Sequence, residues 1–191
     1  MEFLRWSSDQ EDGYCVLDSP LVDDESQYLG EDLHCSWPDD VTVPMDDDYP
    51  EDIELVDNPY GSIFPIVSQK IVDILAKELP EGNIEFLPVT ILNHKGHPEP
   101  DNYFILHPKE IVDCIDQEAS VVEWNPLAPE ELMGCESMVL NEDKIPPSSK
   151  LFRLKHWGSV IIIRSDLAEL LESEGVTGLY FPPAKGYNGV G

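Results

Sequence analysis

Residues 160–181, VIIIRSDLAELLESEGVTGLYF, carry the clearest structural signal in this chain. Residues 160–163 form a short continuous apolar run, which is typical of a buried strand. Leu167, Leu170 and Leu171 then recur at helical spacing, and Gly175 ends the predicted helix. Residues 179–181 are strand formers again. The stretch therefore predicts a strand–helix–strand unit.

The same order of elements occurs earlier in the chain. Residues 63–68 predict a strand that ends at a helix-capping serine, and residues 71–79 carry an apolar helical stripe. Residues 84–89 predict the next strand. The stripe positions of the two helices differ by a constant 96 residues. This offset fits a duplicated strand–helix–strand unit and equally fits a chance match between two amphipathic helices.

The segment between the two units adds further short elements. Residues 103–106 predict a strand that forms a hairpin with residues 84–92, while residues 111–115 fit either a short helix or a strand. Residues 125–130 break the chain with two prolines. Together the elements predict an α+β fold, with a mixed or antiparallel sheet covered by two main helices. We expect a single domain over residues 1–191.

The charge of the chain is unusual. Its 191 residues include 39 acidic and 11 basic side chains, for a net charge of −28. A protein surface with this excess of negative charge argues against direct binding to nucleic acid or to an anionic membrane, since both require cationic side chains. The 41% of hydrophobic residues are enough for a packed core. A cationic macromolecule is the partner that fits this composition.

Most of the net charge lies in an acidic, loop- and strand-rich front part, residues 1–60, which precedes the α+β core at residues 61–184. The front part has 19 acids and one base, Arg5. Its acids alternate with aromatic residues, a mixture that offers charge complementarity and apolar anchors to a partner. The predicted partner-binding residues are Asp23, Asp24, Glu25, Tyr28, Trp37, Asp39, Asp40, Asp46, Asp47, Asp48, Tyr49, Glu51 and Asp52. Two alternatives stay open, because these carboxylates also suit a solvated surface and Trp37 also suits the core.

Motifs for catalysis are missing from the sequence. There is no phosphate-binding loop, dinucleotide fingerprint, zinc-protease motif or nucleophile elbow. His94 and His97 have the spacing of half a metal site, but no nearby cysteine or carboxylate set completes it. The four cysteines form no C-x-x-C pair and suit reduced, mostly packed thiols. We therefore expect no enzymatic activity, no cofactor and no metal.

Targeting signals are missing as well. No apolar run approaches the roughly 18 residues that span a bilayer. The N-terminus lacks the basic opening and apolar segment of a secretory signal. We expect a cytoplasmic protein that contacts neither membrane nor nucleic acid.

Several stretches of the chain resemble one known family. Residues 151–154 (LFRL), 160–167 and 174–181 resemble the C-terminal half of a family of bacterial immunity proteins, which are encoded beside polymorphic toxins and were first described from myxobacteria. Residues 103–106, 112–116 and 138–140 resemble the middle of that family, and residues 66–68 and 86–89 resemble its earlier part. The resemblance covers roughly residues 60–184, whereas the front 60 residues match poorly.

The resemblance implies a protein without catalytic activity. Members of such a family bind a cognate toxin domain in the producing cell and block it, so the implied partner is a toxin domain in a one-to-one complex. The net charge of −28 further predicts that this toxin has a basic surface. Nucleases have such a surface because they hold phosphates. The alternative is an acidic DNA mimic that inhibits nucleic-acid-binding proteins in general.

Overall fold

The computed structural model describes residues 2–20, 31–34 and 36–189. These residues form 12 strands in four sheets, two α-helices and a 3-10 turn at Glu142–Lys144. The strands are β1 (Phe3–Arg5), β2 (Ser7–Ser8), β3 (Thr42–Pro44), β4 (Ile66–Ser68), β5 (Ile84–Leu92), β6 (Tyr103–Pro108), β7 (Ile111–Val112), β8 (Val121–Trp124), β9 (Leu132–Ser137), β10 (Leu151–Leu154), β11 (Trp157–Arg164) and β12 (Leu179–Tyr180). The helices are α1 (Gln69–Glu78) and α2 (Ser165–Ser173).

The predicted fold class, one sheet covered by two main helices, is wrong. The described chain is mostly sheet, and its two helices have only 10 and 9 residues. Eight of the 12 strands have two to four residues. Strands this short leave no alternation of apolar and polar residues that sequence reasoning can detect. The prediction therefore overestimated the helices, although the strands predicted at residues 63–68, 84–92, 103–106, 160–163 and 179–181 are present as β4, β5, β6, β11 and β12.

Two four-stranded sheets form the framework. One has the order β1-β11-β10-β7 and the other has the order β3-β5-β6-β4. The predicted hairpin is present in the second sheet, where β5 pairs antiparallel with β6. Residues 111–112, which the sequence left open between helix and strand, form β7 and pair in parallel with β10. The strands β12 and β2 form one small sheet, and β8 and β9 form another.

The two strand–helix–strand units differ in how they join the sheets. In the first unit, β4 and β5 both pair with β6 inside one sheet. In the second unit, β11 pairs with β1 in a large sheet, but β12 pairs with β2 in a separate small sheet. Ser68 precedes α1 as predicted, yet its side chain does not cap the helix. Its hydroxyl donates instead to Asp57 Oδ1 at 2.5 Å.

Three apolar clusters fill the interior. The front core packs residues 15–17 and 41–45 against the second large sheet. The central core joins both helices to both large sheets. The rear core packs residues 112–115 and the β8–β9 sheet against the first large sheet. In β11, Ile161 and Ile163 face the central core while Val160 and Ile162 face the rear core, which explains the uninterrupted apolar run at residues 160–163.

A buried polar junction connects the front part to the second unit. The fully buried Asn58 donates from Nδ2 to Ser8 Oγ at 2.7 Å and to the carbonyl oxygen of Gly178 at 3.2 Å. Its Oδ1 accepts from Trp6 Nε1 at 3.0 Å. Gly178 has a φ of +73°, and a Cβ there would lie 2.6 Å from the backbone oxygen of Asn58. The close approach at this junction therefore requires glycine.

The cysteines and the length of the helices were also subjects of the sequence predictions. Cys15, Cys114 and Cys135 are free and buried, while Cys35 lies outside the described residues. Within the part of the chain that the structure describes, no helix has both the length and the apolar character needed to cross a membrane.

Candidate interaction surface

The predicted contact residues lie on both sides of the edge strand β3. Trp37, Asp39 and Asp40 precede it, and residues 46–52 follow it. Four others, Asp23, Asp24, Glu25 and Tyr28, lie outside the described residues. Because β3 pairs with the end of β5, the two groups occupy different places along one sheet edge. The structure therefore divides the predicted site into two parts.

Trp37 belongs to the edge of the front core. Its side chain is half-buried and packs against that core. The indole Nε1 donates to the carbonyl oxygen of Pro88 at 2.9 Å. Asp39 and Asp40 are exposed beside it. The fold itself thus fixes the ring of Trp37, in keeping with the core alternative for this residue.

Residues 46–54, called the acidic loop here, form the second part. Their backbone is held by short-range bonds: Asp48 N donates to Asp46 Oδ1 at 2.9 Å, and Asp52 N donates to the carbonyl oxygen of Tyr49 at 3.1 Å. Tyr49 is 42% exposed and Ile53 is 62% exposed. The loop therefore displays two large apolar groups among its carboxylates.

Hydrogen bonds attach a second acidic segment to this loop. Gly13 N donates to Asp52 Oδ1 at 3.0 Å, and Glu54 N donates to the carbonyl oxygen of Gly13 at 2.9 Å. These bonds bring residues 9–12 beside the loop. We call the combined surface the acidic face; its carboxylates belong to Asp9, Glu11, Asp12, Asp46, Asp47, Asp48, Glu51, Asp52 and Glu54.

The acidic face is not neutralised by nearby cations. Among the described residues, no lysine or arginine lies within 4.0 Å of these carboxylates, and the nearest cationic candidate is His94, with Nδ1 3.5 Å from Asp47 Oδ1. Partial burial and the carboxylates of Glu11, Glu54 and Asp9 raise the pKa of Tyr14. The face therefore carries an uncompensated negative potential.

The chemistry of this surface is that of a binding site for a cationic partner. Within residues 2–20, 31–34 and 36–189, no group of three or more His, Cys, Asp or Glu side chains is placed to hold a metal ion. Burial, with smaller contributions from Glu99 and Asp52, raises the pKa of the Cys15 thiol to about 12, so this thiol is not an activated nucleophile. An uncompensated acidic surface with exposed apolar groups can attract and bind a cationic surface.

Sequence reasoning found the acidic loop but not the whole face. The runs of acids at residues 46–48 and 51–54 mark the loop directly. Residues 9–12 were missed because their contact depends on the bond between Gly13 and Asp52, which are 39 positions apart. The sequence does not mark Ile53 either, because its 62% exposure is a property of the assembled fold.

Comparison with known proteins gives one result for most of the chain. A family model described as "Immunity protein family (Imm11)" matches residues 20–186. A search of curated proteins gives no match. The matched range begins at residue 20, whereas the resemblance seen in the sequence was predicted to begin near residue 60. It therefore includes the acidic loop and Trp37.

Proposed function

Since the match covers well over half of its length, the chain belongs to the Imm11 immunity protein family, and we propose that it neutralises a basic, nuclease-type toxin domain by covering the active site of that domain. The family makes the protein an immunity protein with a toxin as its partner. Immunity families are generally non-enzymatic. In our proposal, the complex is one-to-one and forms in the cytoplasm of the producing cell.

The observation that carries this proposal is the acidic face. A nuclease holds phosphates in a cationic groove, so the active site of such a toxin is complementary to uncompensated carboxylates. Charges of this kind mainly accelerate association and select the partner. Apolar groups buried at the centre of the contact supply most of the affinity. Tyr49 and Ile53 offer such groups on the acidic face.

We expect the chain to protect a cell against its toxin. Co-expression with the toxin domain encoded beside it should restore growth, and the purified pair should elute as a one-to-one complex by light scattering. The control is the toxin domain expressed with an empty vector. Failure to restore growth, although the chain is present in the soluble fraction, would contradict the proposal.

The same purified chain also tests the DNA-mimic alternative. A DNA mimic binds several unrelated basic proteins with similar affinity, because it presents only a phosphate-like charge pattern. An immunity protein binds one toxin far more tightly than the others, because apolar anchors add shape specificity. A panel of basic nucleases and DNA-binding proteins separates the two.

Two aromatic truncations should separate fold from contact. Tyr49→Ala removes an exposed ring and is expected to weaken toxin affinity at least tenfold while leaving the melting temperature nearly unchanged. Trp37→Ala removes a ring packed on the front core, and should lower the free energy of unfolding by about 2 kcal/mol. Thermal melting and calorimetric titration measure both effects. An unchanged affinity for Tyr49→Ala would remove Tyr49 from the contact.

A further inference from the structure

The β8–β9 hairpin presents apolar side chains that the fold does not bury. Its inner side, through Val122, Leu132 and Cys135, packs against the rear core. The connecting loop, residues 125–131, displays Leu127, which is 94% exposed. Val121 and Met133, which are also exposed large hydrophobics, lie on the strands of the same hairpin. Leu127 in particular is almost entirely in solvent, so its side chain adds almost no buried apolar area to the free protein.

The exposed leucine is held in place by a well-braced loop. Leu127 N donates to Asn125 Oδ1 at 2.9 Å, and Asn125 N donates to the carbonyl oxygen of Glu131 at 2.9 Å. The buried His156 donates from Nδ1 to the carbonyl oxygen of Glu130 at 2.8 Å. Two prolines, at positions 126 and 129, fix further backbone angles. Little conformational freedom remains to be lost when this loop binds.

The charge of the hairpin indicates what covers it. Residues 121–137 contain four glutamates and neither lysine nor arginine. All four side chains are exposed, and none lies within 4.0 Å of a cationic group in the described part of the chain. A second copy of this chain, itself at −28, would bring acids against acids. The complementary surface is therefore an apolar pocket bordered by lysine or arginine.

We propose that the hairpin is a second contact surface for the toxin domain, with Leu127 inserted into an apolar pocket that cationic side chains surround. This inference rests on the proposed function, because the toxin supplies the cationic surface. The hairpin packs on the rear core, whereas the acidic face lies beside the front core. The two surfaces therefore belong to different parts of the fold, and variants of each can be tested independently.

The test uses the full chain and the toxin domain encoded beside it, which is recovered from the co-expressed complex by denaturation and then refolded. Leu127→Ala should weaken toxin affinity at least tenfold, mainly through faster dissociation, with an unchanged melting temperature. The matched control is Ile63→Ala, which truncates an aliphatic side chain that is 61% exposed outside both surfaces. The control should bind within twofold of the wild type.

Three outcomes would each contradict either the hairpin contact or the proposed function. A Leu127→Ala variant that binds within twofold of the wild type overturns the hairpin contact and leaves the proposed function intact. A wild-type dimer in sedimentation that Leu127→Ala dissociates overturns it too, because the occupant is then a second copy. A wild-type chain that does not bind the toxin domain contradicts the proposed function itself.

Discussion

Replacement of Asn58 by alanine is expected to lower the free energy of unfolding by about 3 kcal/mol. The side chain is fully buried and makes three hydrogen bonds, to Trp6, Ser8 and Gly178. Its removal leaves the indole N–H of Trp6 buried without a partner, while the carbonyl oxygen of Gly178 keeps one bond, from Asp9 N at 3.0 Å. Leaving the indole N–H unpaired costs on the order of 1–3 kcal/mol, and the lost bonds to Ser8 and Gly178 add to that cost.

Urea denaturation followed by tryptophan fluorescence measures this loss. The matched control is Asn102→Ala, since Asn102 is exposed and its side chain forms no hydrogen bond within the described residues. The control should stay within about 0.5 kcal/mol of the wild type. If Asn58→Ala falls in the same range, the polar junction does not hold the front part to the second unit, and another contact does.

Elements with long periodic patterns were predictable from the sequence. The helices α1 and α2, together with the strand β5, lie where the apolar spacing placed them. The run at residues 160–163 also identified a strand buried on both faces. A run of this kind does not reveal what covers each face. In the structure, the helices cover one face of β11 and the rear core covers the other.

The way in which the strands pair into four sheets was not predictable, for a physical reason. The strands β2, β7 and β12 have two residues each, and their pairing partners are distant in the sequence. Ser7, for example, pairs with Tyr180. Local propensity carries no information about such contacts. The α+β prediction therefore followed the helices, which are visible locally, and assigned them too large a share.

Of the two candidate surfaces, the sequence indicates only one. Runs of like charge are local, so the acidic loop was visible in the sequence. The hairpin tip was not, because residues 125–130 indicate only a break in the chain. Its significance depends on the exposure of Leu127, which no local pattern reports. Exposure is a property of the assembled fold.

Charge reversal on the acidic loop should have the largest effect on binding. The triple variant Asp47→Lys, Asp48→Lys, Glu51→Lys is expected to weaken toxin affinity by about 100-fold or more, mainly through slower association. The three side chains are exposed, and their carboxylates accept none of the hydrogen bonds that hold the loop backbone. Asp46 and Asp52 are left in place because their carboxylates do accept such bonds. The loop should therefore keep its conformation.

A second triple variant separates local charge from total charge. Glu169→Lys, Glu172→Lys, Glu174→Lys changes three exposed acids on and beside α2, so both variants raise the net charge by 6, from −28 to −22. Lysines near the C-terminus of a helix also favour the helix dipole, so this control should stay folded. We expect its affinity for the toxin domain to fall by less than about threefold, since exposed charges beyond roughly 8 Å are screened at physiological ionic strength.

Stopped-flow association rates at increasing salt complete the comparison. For the wild type, the association rate should fall steeply as salt rises, because ions screen the attraction between the acidic face and a basic toxin. The acidic-loop variant should show a much weaker dependence, whereas the α2 variant should follow the wild type. If the two variants lose affinity equally, total charge and not the acidic loop directs binding. If wild-type association is insensitive to salt, the carboxylates are a solvating surface and the contact is apolar, which leaves the hairpin as the main site.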